Sequence, residues 1–256
     1  MENKQFQGLT NTLFLKNDLI GKKSNQIVDY FLDRENEQTF YEQLKDSKFD
    51  WLLVPVKWEF DESNLFTSYT KYYPNTFTLH DQEICTSKMK AVIRLIKKFH
   101  HLDLTLKPFN PQVILNKFKT KVVPIFDLSQ YDQKIVRIID DWDDGSGLVV
   151  SHNDLVRGNF LKISNRWVLI DFEFASLNHW LFDYASFMSE SLDPDQWPKF
   201  LKLLNLSAID LQKLFDFITY QNYLWSYWAS YMYQSTKQEI FKEIAQDKLK
   251  KLAFKC

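Results

Sequence analysis

The chain has 256 residues, 45% hydrophobic and 25% charged, with a formal net charge of −1. That balance excludes a disordered chain, and the interspersed Lys/Arg and Asp/Glu offer no basic face for nucleic acid. No apolar run approaches the roughly 20 residues that span a bilayer, the start "MENKQFQGLTNT" lacks a signal pattern, and Cys85 and Cys256 match no metal or redox spacing, which points to a soluble, reduced, cytoplasmic protein.

In chain order, "NTLFLKN" and "DLIGKKS" have the composition of two short strands, and "RENEQTFYEQLKD" that of a helix with Phe40 and Leu44 on one face. "FDWLLVPVKWEF" and "NLFTSYTKYY" predict an antiparallel pair joined by the polar turn "DESN". After residue 80 the character changes. "ICTSKMKAVIRLIKKFHHL" sets Met89, Val92, Ile93, Ile96 and Phe99 at helical spacing with lysines opposite. A second helix is predicted near residues 130–142, then a strand in "GLVVS", then a hairpin in "FLKISNRWVLID" with Asn165 and Arg166 at its turn. From Trp180 onward the pattern is helical. The expected fold is α+β and two-lobed: a small strand-rich lobe over residues 1–78 and a larger, mostly helical lobe over 79–256.

The segment "SHNDLVRGN", followed across the hairpin by "IDFEF", concentrates carboxylates and amides between apolar runs. Asp154 is followed after four residues by Asn159, and twelve residues later comes Asp171. Phosphoryl transfer needs such a set: a carboxylate to orient or accept the proton of an attacking hydroxyl, and hard oxygen ligands for Mg²⁺. The spacing is that of the protein-kinase catalytic loop, with "DFE" standing where that template has D-F-G. Asp171 and Glu173 alternate with Ile170, Phe172 and Phe174, so both carboxylates share one face at a strand end.

"SHNDLVRGN" followed by "IDFEFASLNHWLFDYASFMSE" resembles the choline/ethanolamine kinase family, bacterial choline kinase type, within the aminoglycoside-phosphotransferase-like group of the protein-kinase-like fold. The resemblance implies an ATP- and Mg²⁺-dependent phosphotransferase acting on the hydroxyl of choline or a similar small molecule, and it specifies no oligomeric state. It implies Asp154 as catalytic base, Asn159 and Asp171 as Mg²⁺ ligands, and Glu173 near the metal or the substrate cation. His152 and Asp183 would support the loop. "QGLTNTLFL" resembles the family's phosphate loop, with Gln7 in place of its first glycine, so Gly8, Leu9, Thr10 and Asn11 are expected at the ATP phosphates. Lys22 or Lys23, of which Lys22 is preferred, would reach ATP with Glu37 as partner. Trp225 and Trp228 match the family's Trp-x-x-Trp at the choline pocket, where a cation without N–H groups is met by aromatic faces and carboxylates. Glu190 matches the acidic residue closing the long motif; Tyr184, Phe187 and Phe241 are further candidates for ring surface. Ethanolamine, thiamine and aminoglycosides are alternative acceptors. A catalytically idle binding module is the remaining reading, against which stand Asp154, Asn159 and Asp171, all present.

Overall fold

The computed structural model describes residues 5–7 and 9–253; Gly8 and Cys256 lie outside them. A five-stranded antiparallel sheet forms the first lobe, built from β1 (Gln5–Gln7), β2 (Thr12–Lys16), β3 (Leu19–Lys23), β4 (Lys57–Phe60) and β5 (Phe66–Lys71) in the order β1-β2-β3-β5-β4. Lys16 pairs with Leu19, so Asn17 and Asp18 alone make the β2–β3 turn, both with positive φ (48° and 59°). This is the backbone twist a two-residue hairpin requires, and Asn and Asp tolerate it. Phe14 lies opposite Gly21 with its ring against the β3 backbone, where an added Cβ would come within 2.3 Å of it. Only glycine permits that approach.

One short helix, α1 (Gln26–Asp29), and one longer helix, α2 (Arg34–Leu44), follow β3. Asn25 caps the first through its side chain and Asp33 caps the second. The long strand expected over residues 49–60 is confined to β4. Upstream of Pro55 the chain leaves the sheet: Leu53 N–H donates to Leu169 O and Leu169 N–H to Trp51 O, both at 3.0 Å. A proline at the crossover cannot donate to a continuous ladder, and the segment pairs with the other lobe instead.

The rest of the chain contains β6 (Phe77–Thr78), α3 (Thr86–His100), α4 (Pro111–Lys119), α5 (Asp132–Asp140), β7 (Leu148–Ser151), β8 (Phe160–Ile163), β9 (Arg166–Leu169) and β10 (Ser176–His179), then helices α6 (Leu181–Ser191), α7 (Trp197–Leu204), α8 (Ala208–Thr236) and α9 (Glu239–Ala253). Helix α4 had no counterpart in the periodicity, although Asn110 as N-cap and Pro111 in the first turn mark its start. The β8–β9 turn is shifted one residue from the expected position: Ile163 pairs with Arg166, and Ser164 (φ 53°) and Asn165 form the turn. Strands β6, β8 and β9 form one small sheet, while β7 pairs antiparallel with β10.

Among the described residues many aromatics are buried, and others pack against that core. Phe109, Trp142, Phe182, Phe217 and Tyr220 interlock between α4, α5, α6 and α8 with ring centroids 4.7–6.5 Å apart. Among the described residues no helix is long and apolar enough to cross a membrane.

Candidate active site

Strand β7 ends at Ser151 and feeds a loop whose conformation is set from behind by Asp183 on α6. Asp183 is fully buried. Its Oδ2 accepts the His152 N–H (3.0 Å), its Oδ1 accepts the Asn153 N–H (2.8 Å), and His100 Nε2 lies 3.0 Å from Oδ2. Burial opposes its charge, but His100 and these donors hold its carboxyl below the usual range. Asn153 takes a left-handed conformation (φ 65°), and its amide bonds Phe174 O and Ser176 Oγ. His152 packs between Phe99 and Phe172, and its Nε2–H donates to Ile170 O at 3.0 Å. Burial pushes its pKa down, so it braces the loop as a neutral ring.

Asp154 follows on this support and faces the cleft between the lobes. Asn159 Nδ2 donates to the Asp154 carbonyl (2.8 Å) and to its carboxylate Oδ2 (3.2 Å). Burial, with Asp171, Glu173 and Glu190 nearby, pushes the Asp154 carboxyl up to about 7. A carboxyl near neutrality is the condition in which a general base works best.

Asp171 comes just after β9 with φ 67°. An L-residue rarely adopts this conformation outside functional or turn positions. Lys22 reaches it from β3: Nζ lies 2.5 Å from Asp171 Oδ1 and 2.6 Å from Glu173 Oε2. Burial works against all three charges. The two carboxylates more than reverse that for Lys22 and raise its pKa, while the shared cation leaves Asp171 the more acidic of the pair. The Lys22–Glu37 pair expected from the sequence is not formed. Glu37 is taken by Arg34 Nη1 (2.5 Å), one helical turn earlier, and by Tyr41 OH (2.7 Å). Arg34 Nη1 also stands 3.7 Å from Glu173 Oε2. Strand alternation turns Lys23 the other way, onto Asp61 at 2.7 Å.

These groups open onto one cleft of about 1140 Å³. Leu9, Thr10 and Asn11 line its small-lobe wall, with Asn11 Nδ2 3.4 Å from Glu173 Oε2; the expectation for Gly8 falls outside the described residues. Leu13, Ile20, Leu53, Leu161 and Ile170 make an apolar slot. Trp225, Trp228, Phe174 and Glu190 line the same cleft. The two tryptophans meet edge to face (5.9 Å, 84°), and Phe174 meets Trp225 likewise (5.5 Å, 78°).

Asp154, Asn159, Asp171, Glu173, Glu190, Lys22 and both tryptophans therefore share one cavity, with His152, Asp183 and Glu37 behind it. Three ring candidates do not reach it. Phe187 is buried against Phe160 and Phe200, Tyr184 against His100 and Trp180, and Phe241 beneath Trp228. Each lies on the core side of its helix. Sequence reasoning missed Phe174, legible only as one apolar position in "DFEF", and Lys248, which had no local signal.

Asn159 and Asp171 fit a hard divalent cation. With Asn159 Nδ2 engaged by Asp154, its Oδ1 is the atom such an ion would find, beside one carboxylate. Among the described residues no cluster of three or more His, Cys, Asp or Glu forms a metal cage; Mg²⁺ is commonly held by one or two side-chain oxygens plus substrate phosphates.

A model of the choline/ethanolamine kinase family matches residues 6–252. The chain belongs to the choline/ethanolamine kinase family. Among curated relatives of this kinase, the "Protein LicA homolog" of Mycoplasma capricolum is 25% identical over 182 residues, 66% of this chain and 68% of that protein. Among solved structures, choline kinase LicA from Streptococcus pneumoniae superposes with a TM-score of 0.79 at 21% identity, covering 99% of this chain and 93% of that one. A LicA structure in complex with AMP gives 0.77 at 20% identity, covering 99% and 91%. Aminoglycoside 2′-phosphotransferase-IIIa gives 0.68 at 13% identity, covering 99% and 93%, so the kinase-like fold extends to that group. The family kinase described here is a phosphotransferase with an alcohol group as acceptor.

Proposed function

We propose that this kinase transfers the γ-phosphoryl group of ATP to the hydroxyl of choline, with Mg²⁺ as cofactor, in the cytoplasm where ATP is supplied. The reading rests on one observation: Asp154, Asn159, Asp171 and Lys22 line the same cleft as Trp225 and Trp228. Residues 1–78 act as the nucleotide-binding lobe and 79–256 as the catalytic and acceptor-binding lobe. Adenine occupies the apolar slot. Backbone amides near Leu9–Asn11 and the Lys22 ammonium hold phosphates, and Glu37 steadies the region through Arg34.

Asn159 and Asp171 would hold the Mg²⁺, which would supply charge neutralisation at the phosphates. Asp154 orients the acceptor hydroxyl and takes its proton as the oxygen attacks phosphorus. Glu173 balances Lys22 and Arg34, and Asp183 and His152 keep Asp154 in place. Catalysis by such a set is mainly positioning and electrostatic stabilisation. At the acceptor end a trimethylammonium group meets the faces of Trp225 and Trp228 and the charge of Glu190, an arrangement worth about 1–2 kcal/mol per good aromatic contact when desolvated. Ethanolamine is the second reading, favoured by Glu190 Oε1, which is buried without a donor among the described residues and suits an N–H group.

A radiolabelled-ATP assay across choline, ethanolamine, thiamine and kanamycin, with and without Mg²⁺, tests the proposal. Metal-dependent formation of phosphocholine in preference to the other products is expected. Equal or better turnover of another acceptor would replace choline, and no turnover with any would remove the reading.

A further inference from the structure

The acceptor end of the cleft contains a protein cation. Lys248, on α9, is 5% exposed, and its ammonium is paired with the carboxylate of Glu190 on α6, 12% exposed. Both line the cleft beside Trp225 and Trp228. Among the described residues only one carboxylate oxygen is engaged: Lys248 holds Oε2, while Oε1 is buried and meets no donor from them. The surrounding charges are Asp247, 3.9 Å from Lys248 and 2.9 Å from Lys251; Lys251 itself, which donates to Ser189 O at 2.7 Å; Glu243 on the same helix; and Asp154 across the cleft.

An ammonium inside a pocket meant for a cation repels the ligand, and the repulsion is stronger away from bulk water. The same ammonium keeps Glu190 paired, which avoids the cost of an isolated buried carboxylate. One oxygen committed and one open leaves attraction for a first positive charge and little for a second. We propose that Lys248 is a specificity-determining residue: by occupying half of Glu190 it restricts the acceptor end to monocationic amino-alcohols and excludes polycationic ones. The inference rests on the amino-alcohol kinase reading and adds to it a charge filter carried by α9. Rejection by unfavourable charge is a general route to specificity.

The test is equilibrium binding, read by calorimetry, of tetramethylammonium, a short bis-quaternary dication and the neutral choline isostere 3,3-dimethylbutan-1-ol. Wild type is compared with Lys248→Arg, Lys248→Met, Glu190→Gln and Lys248→Met/Glu190→Gln. Lys248→Met is expected to tighten tetramethylammonium by about fivefold or more, and the dication by more than that, with the neutral alcohol changed less than about twofold. Lys248→Arg should match wild type, and the double variant, again neutral at this pair, should return toward it. If Lys248→Met does not fold, the step from Glu190→Gln to the double variant carries the same comparison. Equal shifts for charged and neutral ligands, no gain for the cations, or no cation binding by wild type and Lys248→Met alike would overturn the filter. Choline turnover by the wild-type enzyme tests the kinase reading separately, because these affinities are measured without catalysis.

Discussion

Lys22 and Asp171 are 149 positions apart in the chain, yet Lys22 Nζ stands 2.5 Å from Asp171 Oδ1. The contact joins the third strand of the small lobe to the strand end that carries Asp171 and Glu173. It fixes a cation between two carboxylates of the cleft, and on the proposed function that cation meets the transferred phosphate.

Replacing Lys22 should therefore act on turnover. Lys22→Ala is expected to lower kcat by about 100-fold or more, the scale for removing one preorganised donor at a transition state. Lys23→Ala, which removes only an exposed pair with Asp61, should stay within about twofold. Coupled-enzyme detection of ADP distinguishes the two, and a reversed ranking would show that the wrong lysine has been assigned.

Asp154 gives a pH signature. Its carboxyl is pushed up to about 7 in the folded chain, and only the ionised form can accept a proton. The kcat/KM for the acceptor should fall with a slope of one below about pH 7, and Asp154→Asn should abolish turnover while ATP binding persists.

The same shift has a stability consequence of opposite sign. A carboxyl whose folded pKa is raised penalises the folded state once it ionises, so the penalty is absent below the unfolded value near 3.9 and complete above the folded value near 7. Asp154→Asn is expected to stabilise the protein at pH 8 by something on the order of 2 kcal/mol, with the gain vanishing toward pH 4. Urea unfolding at the two pH values measures it; an equal gain at both would mean that ionisation is not the cause.

Asp183 supports the loop without facing the cleft. Asp183→Ala strands two backbone N–H groups and His100 in the interior. A loss of about 3 kcal/mol or more is expected, as for breaking a buried charged partner, together with loss of turnover. A shift in urea midpoint under about 0.5 kcal/mol equivalent would argue that the loop holds itself.

Trp225 separates acceptors. Trp225→Ala should raise KM for choline by about tenfold, the loss of one desolvated cation–π contact, and raise KM for ethanolamine less. Equal losses for both would leave the aromatic wall without a role in recognition. Trp228→Ala also removes packing against buried Phe241, so its kinetic effect should come with lower stability.

Much of this was legible locally. The four-residue gap from Asp154 to Asn159 and the alternation of Asp171 and Glu173 with apolar neighbours are short-range properties that backbone geometry converts directly into direction. The helix start at Ala208, capped by Ser207, and the positive-φ pair Asn17–Asp18 are of the same kind. The expected strand through Pro55 failed because the alternative partner, Leu169, lies more than a hundred residues away.

What local sequence settles is which residue types stand at which spacing: a carboxylate at 154, oxygen donors at 159 and 171, and a Trp-x-x-Trp at 225–228. Long-range packing settles which of Lys22 and Lys23 faces the cleft, that Arg34 rather than Lys22 meets Glu37, and that Phe174 and Lys248, not Tyr184, Phe187 or Phe241, line the cleft with Trp225 and Trp228. Periodicity assigns a side chain to a face of its own element. Which neighbour that face meets depends on how elements far apart in the chain pack, and that is set by the burial of the whole core.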